Sequence, residues 1–425
     1  MRDIPAFKEE MYMTAKSNFI SYINFVLSEI KRFDGQVRKY TEEWKDVDRR
    51  LKDDDQFGVQ LKQAKKLFGN QMQLLTTGID DPVQKAKFVF NEIKKHYNWN
   101  EVYGYFTEQG VKKAYQTQKG NVADINLSLV GALQSIGIKA EPALLSTRAN
   151  GLPVMLHPVM SDFNYVIAHI TNGTDQYWLD ATNPLYSFGF VPEKCLNGKI
   201  RLMNEVSEWV DLKLKEKDKK VTEVQLVLKE DGSLFGTFKQ THFGYDAFNQ
   251  REKYFSFSSK EDYVKSQAAN WPDFEVINYV NLGTDSLEKP FIEIYNLKFS
   301  EAAIQEVFYL SPFIIESWKK NPFQSTERTY PVDFGAPLEQ SILFSLTFPD
   351  NYIIDELPKN TAVSLPKGGG RLLFNSSMLG NKVQVGNTLS ISKSVYNSEE
   401  YFTLKELFAR IIQVQQSQIV IKKKK

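Results

Sequence analysis

A polar step into a long apolar run is the feature that most limits how this chain can fold. Gly120-Asn121-Val122-Ala123-Asp124 opens the run Val122 to Ile136, which stops at Gly137. Asn121 is placed to cap a helix, and Asp124, three residues on, to complete a capping box. Ile125, Leu129, Val130, Leu133 and Ile136 then recur at helical spacing, which predicts a core helix packed against a sheet. Strand-like segments follow at Glu141–Arg148, at Phe163-Asn164-Tyr165-Val166-Ile167 and at Tyr177-Trp178-Leu179, the last ended by Asp180.

Composition narrows the class. With 425 residues, 42% hydrophobic and 25% charged, the chain reads as a globular protein of two or three domains, neither disordered nor membrane-embedded. A net charge of +1 provides no global field for nucleic acid or acidic lipid, so no nucleic-acid partner is expected. The lysines Lys422 to Lys425 are a local exception, expected to be solvated. One cysteine, Cys195, rules out an internal disulfide and a cysteine-clustered zinc site, and no metal or cofactor is expected. No apolar segment approaches the roughly 20 residues of a membrane-spanning helix. Met1-Arg2-Asp3-Ile4-Pro5 has no hydrophobic signal core, which fits a cytosolic protein or a chain that starts downstream of its export signal.

Three regions are expected along the chain. In residues 1–35, Phe19 to Leu27 is rich in β-branched and aromatic residues and reads as the remnant or terminal strand of an N-terminal β domain. Residues 36–212 begin with helices between Lys39 and His96. Trp44, Val47 and Leu51 form one apolar set, and Phe88, Val89, Phe90, Ile93 and Tyr97 another, while Asp80-Asp81-Pro82 reads as a helix start. Residues 213–425 turn to strands after a lysine-rich linker, Lys213–Lys220. Val221–Leu228 and Ser233–Gln240 flank a hairpin turn at Lys229–Gly232. A helix is expected over Tyr245–Trp271, burying Tyr254, Phe255 and Tyr263. Strands follow at Phe274–Asn281, Phe291–Phe299, Gln340–Phe348, Arg371–Asn375, Lys382–Val385 and Thr388–Val395. Gly368-Gly369-Gly370 reads as a flexible connector, and Glu399–Val414 as an amphipathic helix with Leu404, Leu407, Phe408, Ile411 and Ile412 on its apolar stripe. The fold class is α+β, helices plus antiparallel sheet followed by a β-rich C-terminal region with an antiparallel core.

From Asp80 to Trp209 the order of glycine, helix and strands resembles the transglutaminase-like superfamily, whose core has papain-like topology. Ser146-Thr147-Arg148, Phe163-Asn164, Leu179-Asp180-Ala181-Thr182 and Cys195-Leu196-Asn197-Gly198 carry the likeness together with Gly120. In active members a Cys, a His and an Asp form the catalytic set and act through an acyl-thioester. The resemblance assigns those places to Val122, Tyr165 and Asp180 here. A valine cannot attack, and a phenol with a pKa near 10 cannot accept a thiol proton at neutral pH. His169 lies four residues beyond Tyr165 on one strand, roughly 13 Å away and too far to substitute. His157 reads as a solvated loop histidine. Asp180 either holds local backbone in a turn, accepts a hydrogen bond from Tyr165, or contacts a ligand. Arg148 either pairs with Asp162 or Asp180 or receives a carboxylate-bearing ligand. Cys195 reads as a small buried hydrophobe.

The binding candidates are therefore Asp124, Arg148, Asn164, Tyr165, Asp180 and Thr182, with no catalytic residue and no metal ligand. The whole arrangement is similar to bacterial envelope proteins in which a β-sandwich precedes such a core and a β domain follows it. That likeness implies a periplasmic or cell-envelope protein, while the apolar pattern predicts no transmembrane segment. With Val122 and Tyr165 in place of Cys and His, the expectation is a catalytically inactive module that binds or scaffolds a protein or peptide. The alternative is a cysteine peptidase or transglutaminase built around Cys195 and His157.

Overall fold

The structure is a computed structural model. It describes residues 7–424 apart from 22, 24–26, 28, 40–42, 213–216, 300–305 and 315–317. Of the strand expected over 19–27, residues 22 and 24–26 lie outside the described residues and the rest are not in a strand; of the expected linker, 213–216 lie outside them and 218–220 already open a strand. A short hairpin of Glu29–Lys31 with Val37–Lys39 follows. The chain divides into two compact units, one reaching residue 214 and one beginning at 215, with residues 10–13 joining the second. It is mixed α+β, a core of helices and sheet followed by a strand-rich region.

In the first unit the helices are α1 (Trp44–Asp53), α2 (Gly58–Leu75), α3 (Pro82–His96), α4 (Val111–Thr117) and α5 (Val122–Ser135). Helix α3 starts at the expected signal: Asp81 accepts from the backbone N–H groups of Val83 and Gln84 at 2.7 and 3.2 Å, and Pro82 fills the first turn. Every residue of α5 from Val122 to Leu133 is buried. It lies between α2 and a sheet, which explains an apolar run too wide for a one-sided amphipathic helix. Gly131 permits the α2 contact, since a Cβ there would sit 2.4 Å from that of Ala64 and 2.7 Å from the Lys65 backbone nitrogen.

The sheet holds β1 (Ala140–Leu145), β2 (Tyr165–Asn172), β3 (Asp175–Leu179), β4 (Lys199–Leu202) and β5 (Glu208–Asp211) in the order β3-β2-β1-β4-β5. All of its pairs are antiparallel. The sequence reading ends at β3, and the two further strands complete the other edge.

The second unit is built on an eight-stranded sheet. Its strands are β6 (Asp218–Leu228), β7 (Leu234–Phe243), β8 (Phe274–Leu282), β9 (Phe291–Phe299), β10 (Leu338–Thr347), β11 (Thr361–Ser364), β12 (Gly370–Leu379) and β13 (Lys382–Ile391). Their order is β8-β9-β7-β6-β10-β13-β12-β11. The expected antiparallel core needs one correction, because β6 and β10 are parallel. Helices α6 (Gly244–Phe255), α7 (Lys260–Ala268) and α8 (Tyr401–Gln415) accompany the sheet.

Other local expectations change as well. The single helix over 245–271 breaks before Ser259, which caps α7 by accepting from the Asp262 N–H, and Phe255 at the end of α6 is exposed rather than buried. The two short strands expected at 382–395 merge into β13 through Gly386. The triple glycine is fixed, not a flexible connector: Leu365 donates to the Gly370 carbonyl and Ser392 to that of Gly369, both at 2.8 Å. Ile412 is only half-buried on α8, whereas the rest of its stripe is buried. Lys423 and Lys424 are exposed, as expected, but the segment is structured: Ile419–Lys423 is the middle strand of a three-stranded sheet and Lys422 pairs with Asp355 at 2.7 Å.

Candidate functional site

The N-terminus of α5 is closed by its own capping box. Asn121 Oδ1 accepts from the Asp124 N–H at 2.8 Å, and Asp124 Oδ2 accepts from the Asn121 N–H at 3.1 Å. Asp124 Oδ1 also takes the Gly110 N–H at 3.1 Å; burial raises its carboxyl pKa against these bonds. The Val122 N–H is used as well, donating to the Val102 carbonyl at 3.3 Å. Val122 itself is 0% exposed. The helix end that would favour a thiolate thus carries a sealed methyl-bearing group, with neither an ionisable atom nor access for a substrate.

Below it, β2 and the end of β3 place Tyr165 and Asp180 side by side. The Tyr165 hydroxyl donates to Asp180 Oδ2 at 2.7 Å and lies 3.1 Å from Thr182 Oγ1. Asp180 Oδ1 accepts from the Thr182 N–H and from Asn126 Nδ2, each at 3.0 Å. Both structural readings of Asp180 therefore hold at once, turn chemistry and a bond from Tyr165. Tyr165 is 0% exposed, and burial, then the Asp180 charge, pushes its pKa well up. It is a hydrogen-bond donor here and cannot serve as a base.

Asn126, on the inner face of α5, is absent from the sequence-derived set. Its amide donates to the Val166 carbonyl at 2.9 Å as well as to Asp180, and its oxygen accepts from the Ala181 N–H at 2.9 Å. A polar residue one turn past the helix start, inside an apolar run, is the signal that marks it.

The other expected residues have structural partners. Asn164 braces the turn after β1, accepting from the Thr147 N–H at 2.8 Å and donating to Thr147 Oγ1 at 2.9 Å. Arg148 donates to the Leu196 carbonyl at 3.1 Å. Asp162 accepts from the Val154 N–H at 2.9 Å. Cys195 is 1% exposed, and burial followed by the Asp180 charge raises its thiol pKa well above the usual range. His157 is exposed in a loop, and among the described residues no hydrogen bond joins it to Cys195. His169 is buried on β2 against Trp178, 3.5 Å from Glu141 Oε2, and burial lowers its pKa despite that carboxylate. None of these groups forms a nucleophile–base pair.

Fold and site define a transglutaminase-like core followed by a β-rich region. Residues 70–178 match the transglutaminase-like superfamily, and residues 306–421 match a domain of unknown function, DUF3858. Cys195, the single cysteine, lies outside the matched core. The fold is similar to a crystal structure described as a "putative protease" from Parabacteroides distasonis, at 12% identity and a TM-score of 0.49. That likeness covers 89% of this chain and 57% of the other, so this chain spans a little over half its length. No curated protein matches. Among the described residues no helix is long and apolar enough to cross a membrane.

Proposed function

We propose that this chain is a catalytically silent transglutaminase-like protein, a binding or scaffolding module of the cell envelope that engages a peptide or protein partner. The observation that carries the reading is the pairing of Val122, 0% exposed at a capped helix end, with Tyr165, whose hydroxyl is committed to Asp180 at 2.7 Å. Acyl transfer through a thioester needs an attacking sulfur and a group that takes its proton. Both places are filled by side chains that stabilise the core. The envelope setting is supported only by the resemblance to bacterial proteins of the same domain order.

The test combines a thiol-reactive probe with peptidase and amine-transfer assays on the wild-type chain and Cys195→Ala. The expected result is no turnover in either, and probe labelling only after unfolding. Turnover that disappears with Cys195→Ala would overturn the proposal in favour of an unconventional cysteine enzyme.

A further inference from the structure

Lys194 is half-buried in the short turn Glu193–Cys195, and among the described residues its ammonium makes no hydrogen bond and no ion pair. It lies instead over three aromatic faces, 4.4 Å from the Trp99 ring centre, 5.0 Å from that of Tyr165 and 5.3 Å from that of Tyr103. Aromatic faces attract an ammonium through the ring quadrupole, and the more strongly as it is withdrawn from water.

The rings are also held by contacts of their own. Trp99 Nε1 donates to the Val102 carbonyl at 3.1 Å, and its ring meets Tyr103 edge-on at 5.4 Å. Tyr103 lies 5.8 Å from Tyr165, whose hydroxyl is anchored on Asp180. Donation to a carboxylate adds electron density to the phenol and strengthens its attraction for a cation. The Lys194 backbone is fixed too, its carbonyl accepting from the Arg148 N–H at 2.8 Å. The part of Lys194 that can move off the rings is its flexible four-carbon stem.

We propose that Trp99, Tyr103 and Tyr165 form a cation cage for an alkylammonium group, the lysine side chain of a peptide partner, which Lys194 fills as an internal competitor. The proposal rests on the reading that this core binds rather than cuts, and it specifies the chemistry of what is bound. Lys194 itself displays the ligand: a primary ammonium on an aliphatic stem. Because it is tethered, it competes at a high effective concentration, and an external ammonium binds the wild-type chain only weakly.

The experiment uses n-butylammonium as probe and n-butanol as its neutral counterpart, followed by calorimetry and ligand-observed NMR on the full chain. Lys194→Gln is expected to bind n-butylammonium at least about tenfold more tightly than wild type. Trp99→Leu in the same background should abolish the gain, and n-butanol should not bind. Equal affinity in wild type and Lys194→Gln overturns the cage, as does binding that survives Trp99→Leu or is matched by n-butanol. A second measurement needs no variant: in the wild-type chain the Lys194 ε-methylene protons should be shifted upfield by the rings, and unshifted resonances overturn the proposal. Turnover through Cys195 would defeat the functional reading while leaving butylammonium binding intact, so the two failures are distinguishable.

Discussion

At the scale of single residues, Tyr165 behaves as a structural tyrosine whose worth can be measured. Among the described residues its hydroxyl is the one donor on Asp180 Oδ2, while Asn126 and the Thr182 backbone serve Oδ1. Tyr165→Phe keeps the ring and removes that donor, leaving a buried carboxylate oxygen unpaired. A bond to a charged group in such a setting is worth about 1.5–3 kcal/mol, and urea unfolding of Tyr165→Phe should show a loss of that size. An unchanged midpoint would mean that the hydroxyl is spare and that its bond to Asp180 does not stabilise the core. The Tyr165–Asp180 contact was open to anticipation, since a strand ending in aspartate beside a strand starting with tyrosine brings the two together. Asn126 was not, because its partners Asp180 and Ala181 come from 54 and 55 residues away. Lys194 was equally hidden, as nothing near it in sequence signals rings contributed from residues 99, 103 and 165.

At the scale of elements, α5 tests how tightly the core is fitted. Gly131→Ala would drive a methyl group into Ala64 and the α2 backbone, where no flexible side chain can yield. Overpacking of that kind costs about 1–3 kcal/mol, outweighing the helix propensity that alanine gains, so the variant should melt earlier than wild type. A higher melting temperature would show that α2 can move away. The cap and extent of α5 were legible because a capping box and an apolar run are local signals. The break between α6 and α7 is carried by Ser256-Phe257-Ser258-Ser259, a serine-rich cap signal that the helical spacing of the residues on either side obscures. The parallel pairing of β6 with β10 was also out of reach, because alternation fixes which side chains share a face and not which strand lies alongside. In the same way, three consecutive glycines look mobile in sequence, yet Gly370 is demanded by close approach, its missing Cβ lying 2.6 Å from the Ser390 carbonyl oxygen.

At the scale of the whole molecule, the response to pH should be set by a buried charge cluster in the second unit that composition gives no hint of. Glu293 on β9 is 0% exposed, and its Oε1 accepts from the hydroxyls of Tyr263, Tyr279 and Tyr295 at 2.7, 2.8 and 2.8 Å. Its Oε2 takes Gln250 Nε2 at 2.8 Å and stands 3.2 Å from His242 Nε2, while His242 Nδ1 lies 2.5 Å from Asp246. Lys220 stands 4.0 Å from the other oxygen of Asp246. Burial alone would raise the Glu293 pKa, but His242 and the tyrosine hydroxyls outweigh it and hold the value below the ordinary 4.5. Burial likewise pulls His242 down, and the two carboxylates overcome it to hold the value above 6.5. The Glu293 contribution is complete above pH 4.5 and is lost as pH falls through its lowered pKa. That of His242 is complete below pH 6.5 and is lost as pH rises through its raised pKa. Both are present in full only between these limits, so thermal stability should peak at weakly acidic pH. Glu293→Gln should cost roughly 3–5 kcal/mol near pH 5.5, because it leaves a buried imidazolium short of one partner, and it should flatten the acid side of the profile. Calorimetry from pH 3 to 9 on both chains is the measurement. A wild-type optimum above pH 8, or a variant whose acid limb parallels that of wild type, would show that this cluster does not govern the response.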